Sequence, residues 1–219
     1  MNTNVNTQTR GISTNSILKN TYQLLSTTLL FSGLMAYLAM SLNLPHFGLL
    51  ITFGGYFGLL YLTNKLKNSS YGILAVFALT GFMGLTLGPI INAYTDTFSN
   101  GSELIAIAMI GTGIIFLLLS FYAITSGKDF SFLSGFLTTG IIVAFLAGIA
   151  AYFFAIPALS LTVSAVFILL MSGLILFETS NIIRGGETNY IMATITLFIS
   201  IYNLFLSLLQ LLGVFSGED

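Results

Sequence analysis

Long apolar runs alternate with short polar links along almost the whole chain. Seven runs stand out: Tyr22 to Ser41, Pro45 to Thr63, Tyr71 to Ala93, Leu104 to Thr125, Phe132 to Phe154, Ala158 to Phe177 and Tyr190 to Val214. Each is near the roughly 20 residues that a helix needs to cross a bilayer core. The pattern predicts an all-α integral membrane protein, a seven-transmembrane-helix bundle forming one membrane domain over residues 22–214. Only Leu42-Asn43-Leu44 separates the first two runs, and the fifth and sixth nearly touch around Pro157. Both pairs are expected to be tight antiparallel hairpins.

The seventh run is not uniformly apolar. Thr196, Ser200, Asn203, Ser207 and Gln210 recur at spacings of 4, 3, 4 and 3, which puts all five side chains on one helical face. At 1.5 Å per residue the face is roughly 20 Å long, most of a core of roughly 30 Å. Hydroxyls and amides do not belong against acyl chains, so the seventh helix is expected inside the bundle.

The two ends read differently. Residues 1–21 are rich in Asn, Thr and Ser and carry Arg10 and Lys19. They hold too little apolar surface to offset the cost of ordering and are expected to form a mobile tail. The run behind them is too long for a signal-peptide core, so the tail is expected to stay uncleaved. Residues 215–219 form a short acidic tail.

Scarcity of charge fixes the class. Of 219 residues 56% are hydrophobic and 6% charged, whereas a soluble domain averages about 25% charged. Such a chain cannot cover a water-facing surface, and its main partner is the lipid bilayer. Its 22 glycines against 3 prolines suit helices packed closely in lipid. The absence of cysteine excludes disulfides, thiolate metal sites and a cysteine nucleophile. A net charge of −1 leaves no basic surface for nucleic acid.

The basic residues set the expected orientation. Arg10 and Lys19 precede the first run, Lys65 and Lys67 follow the second, Lys128 follows the fourth and Arg184 the sixth. All fall on one side, which predicts a cytoplasmic N-terminus and a C-terminus on the outer side. Asp96 and Glu103 then lie in an outer connection.

Small residues mark the expected packing faces: Gly54 and Gly58 in the second helix, Gly81, Gly84 and Gly88 in the third, Gly140, Ala144 and Gly148 in the fifth. Pro89 frees the carbonyl of Leu85 and predicts a kink, with Asn92 and Thr86 as candidates to satisfy that carbonyl.

Few groups could do chemistry. His46, the one histidine, follows Pro45 with no second His or Cys to complete a metal site. No Ser-His-Asp set, HExxH, P-loop or dinucleotide fingerprint occurs. A serine and an acid without a base or metal do not make an activated nucleophile, so no enzymatic activity, catalytic residue, metal or cofactor is expected. The remaining acids gather on the side of the basic links. Asp129 reads as a turn residue able to cap the fifth helix. Arg184 has Glu178 and Glu187 within reach for an ion pair of modest worth. Glu178, one residue past the sixth run, admits two readings. It reaches the headgroups, or it gates a polar pathway along the stripe. A purely structural stripe is a third use of those side chains, since polar contacts between membrane helices average roughly 0.6 kcal/mol.

Three stretches together carry a family resemblance: GFMGLTLGPIINAY (Gly81 to Tyr94), LSFYAITSGKDFSFLSGF (Leu119 to Phe136), and LFETSNIIRGGETNY with the helix after it (Leu176 to Gly213). They resemble the Bax-inhibitor-like, or transmembrane Bax-inhibitor-motif, family over nearly the whole chain after the tail. The resemblance implies seven helices with the seventh enclosed by the other six. Calcium-leak members use two facing acids, one ending the sixth helix and one within the seventh, as a pH-sensitive latch. Glu178 matches the first position, but Ser200 stands at the second, and a serine cannot share a proton as an acid would. Ion conduction, of calcium or protons, stays open as an alternative without that latch. The family's bacterial inner-membrane branch, which the last stretch most resembles, implies a partner and modulator of the membrane-anchored ATP-dependent protease FtsH. A mobile tail agrees with that partner, because a pulling protease needs an unfolded handle.

Overall fold

Each apolar run folds as a helix, and the polar links end them. The structure is a computed structural model that describes residues 3–217, with side chains from residue 15 onward. The helices are α1 (Thr3–Ser41), α2 (Gly48–Leu66), α3 (Gly72–Thr97), α4 (Gly101–Ser126), α5 (Ser134–Phe153), α6 (Pro157–Ile183) and α7 (Tyr190–Ser216), with a 3₁₀ turn at Ser131–Leu133 before α5. Among the described residues, six are long and apolar enough to cross a membrane. The exception is α2, a 19-residue helix with four glycines and Asn64-Lys65 near its end.

Two boundaries move by more than four residues. Helix α1 runs back to Thr3, so the backbone of the polar tail is helical where it is described. Extending an existing helix needs no new nucleus, so weak formers such as Asn and Thr can follow a strong span. Helix α6 continues past Phe177 to Ile183, which places Glu178 within the helix. The Arg10 side chain and the acidic end at Glu218 and Asp219 lie outside the described residues.

The chain forms two compact units. The first comprises Met1–Ser99 with Thr188–Phe198. In it α3 packs on α1 and α2. A Cβ on Gly81 would stand 2.7 Å from Phe31, one on Gly84 would overlap the Ser32 carbonyl, and one on Gly88 would overlap Ala39. These glycines let α1 and α3 touch backbone to backbone. In α2 the expected face is corrected: Gly54 and Gly58 have nothing within 4 Å, and Gly55 receives the Phe82 ring. Pro89 sits inside α3 and is buried. Asn92 donates to the carbonyl of Met40 at 3.2 Å, tying α3 to the end of α1.

Asn189 fixes the start of α7. Its Oδ1 accepts the N–H groups of Ile191 (3.0 Å) and Met192 (3.1 Å), the second and third positions of the helix. Its Nδ2 donates to the Lys67 carbonyl (3.1 Å) and to Asn68 (2.9 Å). Asn189→Ala is expected to cost about 1 kcal/mol for the cap alone. Asn189→Ser, which keeps a capping acceptor without setting a charge against the Lys67 carbonyl, should cost less; thermal unfolding in detergent would show the difference.

The second unit comprises Asn100–Glu187 with Ile199–Asp219. Here α6 packs on α4 and α5. Gly140 faces Leu170 at 2.7 Å from an added Cβ, Gly148 faces Val163 at 3.6 Å, and Ala144 is buried. The small-residue face of α5 therefore meets α6. At the end of α7, Asn100 donates to Ser216 at 2.8 Å.

Candidate functional site

From Tyr190 to Gly213 no residue of α7 is exposed on any face. Ser200 is fully buried and Ser207 nearly so, while Thr196, Asn203 and Gln210 are half-buried. Two of the five polar groups are therefore buried and three half-buried.

Several of the stripe's hydrogen bonds are spent on helix contacts. Thr196 donates to the Met192 carbonyl (3.1 Å) and Asn203 to the Ile199 carbonyl (2.9 Å), each one turn back. Gln210 instead reaches α6: it accepts from Ser164 at 2.7 Å and donates to Ser160. Ser160 and Ser164 did not stand out in the sequence. Their signal was a four-residue spacing, which puts both hydroxyls on one face of α6. Replacing Gln210 with leucine should break both bonds to α6, leaving the Ser164 hydroxyl on the Ser160 carbonyl at 3.2 Å, and destabilise the fold by about 0.6 kcal/mol, read as a lower unfolding midpoint in detergent.

At the other end of α6, Glu178 is 5% exposed, and its Oε1 has no hydrogen-bond partner among the described residues. Its carboxyl meets the side chain of Asn181, one turn further on. The next residues end the helix by two different uses of glycine. Gly185 takes a left-handed conformation, φ 74°, and donates to the Ile182 carbonyl at 3.1 Å. Gly186 donates to the Asn181 carbonyl at 2.9 Å and lies so close that an added Cβ would overlap Asn181 Oδ1.

Arg184 pairs with Asp129, at 3.0 Å. This corrects the expectation that it holds Glu178 or Glu187. The reason is a neighbouring bond: Ser180 Oγ donates to the Lys128 carbonyl at 2.9 Å, which brings the link after α4 against the end of α6. Asp129 also accepts the Ser131 N–H at 2.9 Å, so it caps the 3₁₀ turn that leads into α5. That bond first, and Arg184 after it, hold its carboxyl below the usual carboxylate range. A depressed folded value gives stability that is present above the ordinary carboxylate pKa and lost as pH falls through the lower folded one. The clasp should therefore loosen only in strong acid. Both partners are about half exposed, so Asp129→Asn should shift the unfolding midpoint little at neutral pH.

Residues 14–217 match the family described as "Inhibitor of apoptosis-promoting Bax1". An Escherichia coli K12 protein named "Modulator of FtsH protease YccA" is 50% identical over 212 residues, 97% of this chain and 95% of its own. "Inner membrane protein YccA" of E. coli O6:H1 has the same identity and coverage. A membrane protein of Vibrio cholerae is 43% identical over 224 residues, spanning 100% of both chains. With its apolar helices, these relatives make the chain a multi-pass inner-membrane protein.

Proposed function

The chain belongs to the Bax inhibitor family of membrane proteins, and from that premise we propose that it is a non-enzymatic modulator of the membrane protease FtsH. The observation that carries the proposal is the near full-length identity to a protein named for that role. The reading takes all seven helices as membrane-spanning. Helix α2, at 19 residues, is about 29 Å long and matches a core of roughly 30 Å. The N-terminus is cytoplasmic, the C-terminus periplasmic, and residues 1–21 are the segment that the protease engages.

The side chains fit a regulator better than a conduit. Gln210 is bonded to α6, Thr196 and Asn203 to their own helix, and Ser200 stands where a second acid would be needed for the two-acid latch. The stripe's polar groups are then occupied by α7 itself and, at Gln210, by α6, and we do not put forward the calcium leak.

The test is deletion of residues 2–20. Membranes containing FtsH and a test membrane substrate should show altered substrate turnover with the full chain and unaltered turnover with the truncated one at equal level. Equal effects of both chains would remove the tail from the mechanism. No effect of the full chain would remove the function.

A further inference from the structure

The link after α4 folds a lysine back onto an aromatic ring. Gly127 takes a left-handed conformation, φ 60°, and ends α4. The chain reverses there, so Lys128 returns toward Tyr122, six residues back. Its ammonium donates to the Tyr122 hydroxyl at 2.9 Å and stands 5.5 Å from the ring centre. The backbone of Lys128 is fixed as well, because its carbonyl accepts from Ser180 of α6 at 2.9 Å. Phe130 braces the arrangement, with its ring centre 6.1 Å from that of Tyr122 and 6.5 Å from that of Phe132. A lysine held at both ends has less rotamer freedom left to lose when it binds a ligand.

The surroundings narrow the ligand. The link joins two helices long and apolar enough to cross a membrane, so it lies where the hydrocarbon core meets the headgroups. Phe121 and Phe132 are 66% and 75% exposed beside it, and aromatic rings are at home at that depth. Lys128 is exposed, and its charge is uncompensated. The neighbouring acid, Asp129, is taken by the Ser131 N–H and by Arg184. A lysine ammonium has three donors, and Tyr122 takes one of them. The Tyr122 hydroxyl accepts that bond and still has its own proton to donate. A phosphodiester matches this pair: it carries one negative charge and offers one free oxygen to the ammonium and another to the hydroxyl.

We propose that Lys128 and Tyr122 bind the headgroup phosphate of one anionic phospholipid, whose acyl chains lie along Phe132. The exposed rings beside the lysine select a lipid over a free phosphate. A zwitterionic lipid carries its own amine next to the phosphate and gains less from an uncompensated lysine. The site is separate from the protease reading and stands or falls by itself.

Amine acetylation tests it on the full chain in detergent micelles, with each modified lysine located by peptide mass spectrometry. Phosphatidylglycerol should protect Lys128, and phosphatidylcholine or glycerol phosphate at the same concentration should not. Tyr122→Phe, which keeps the ring and loses the hydroxyl, should raise the half-protecting phosphatidylglycerol concentration about tenfold. Lys65→Ala, on a different link, should leave it unchanged. Native mass spectrometry gives a readout without labelling: Lys128→Gln should retain one phosphatidylglycerol fewer than the wild type, and Lys128→Arg should retain it. The inference is overturned by Lys128 reacting freely at saturating phosphatidylglycerol in protein that elutes as a single species, or by Tyr122→Phe leaving the midpoint in place. Equal protection by phosphatidylcholine, or protection by glycerol phosphate alone, would overturn it too.

Discussion

Valine at Gly84 is expected to leave almost no folded protein. The first added carbon already overlaps the Ser32 carbonyl, which is backbone and cannot rotate away. Nor can α1 simply step back. Gly81 and Gly88 hold the same seam one turn on either side, against Phe31 and against Ala36 and Ala39. Overpacking a core typically costs about 1–3 kcal/mol when side chains can yield. Here a helix must move along its length, so the cost should exceed about 3 kcal/mol, a large share of the stability of a typical domain. Gly54→Ala is the control. Nothing lies within 4 Å of that position, and alanine should gain up to about 1 kcal/mol of helix propensity. Opposite shifts of the unfolding midpoint in mixed micelles would show that α2 and α3 use their glycines differently.

Phe198→Ala should be nearly as damaging. Phe198 is among the largest fully buried side chains, on α7 within the first unit. In soluble proteins such a truncation costs about 3–5 kcal/mol, part of it lost transfer from water and part the cavity left behind. In a bilayer the transfer part largely vanishes, because acyl chains are as apolar as the core. The packing part remains, so a loss near the lower end, about 3 kcal/mol, is expected. Leu50→Ala, at a position 91% exposed, should stay within about 0.5 kcal/mol. Equal losses at the two sites would mean that Phe198 also faces lipid.

Element type and order were legible because each link is polar and each run is near one bilayer length. The errors are local and have physical causes. Glu178 looked like the end of the sixth helix because an acid follows the apolar run, yet burial and Asn181 keep it inside α6. The second helix has three glycines within one and a half turns, and periodicity alone does not choose among them; the Phe82 ring selects Gly55. Arg184 has two acids close in sequence, but its partner comes from the distant link after α4, because Ser180 anchors that link. The Asn189 cap was within reach of sequence reasoning, since an asparagine directly before an apolar run is a helix-start signal. Its second role, holding Lys67 and Asn68, needs tertiary structure. The stripe of α7 was the most readable feature, because polar groups in an apolar run have one economical place to go.

That stripe also offers the most direct measurement. The chain has no cysteine, so single cysteines can be placed at Ser200, Asn203 and Ser207 and, as controls, at Ile110, Leu118 and Leu146, which are 63%, 63% and 58% exposed. Each variant is reacted in native membranes with a lipid-soluble maleimide, and the initial rates are compared. The control positions should label rapidly and the stripe positions at least tenfold more slowly. Stripe rates equal to the controls would put the polar face of α7 against acyl chains and contradict the sheltered helix on which the fold and its proposed role rest.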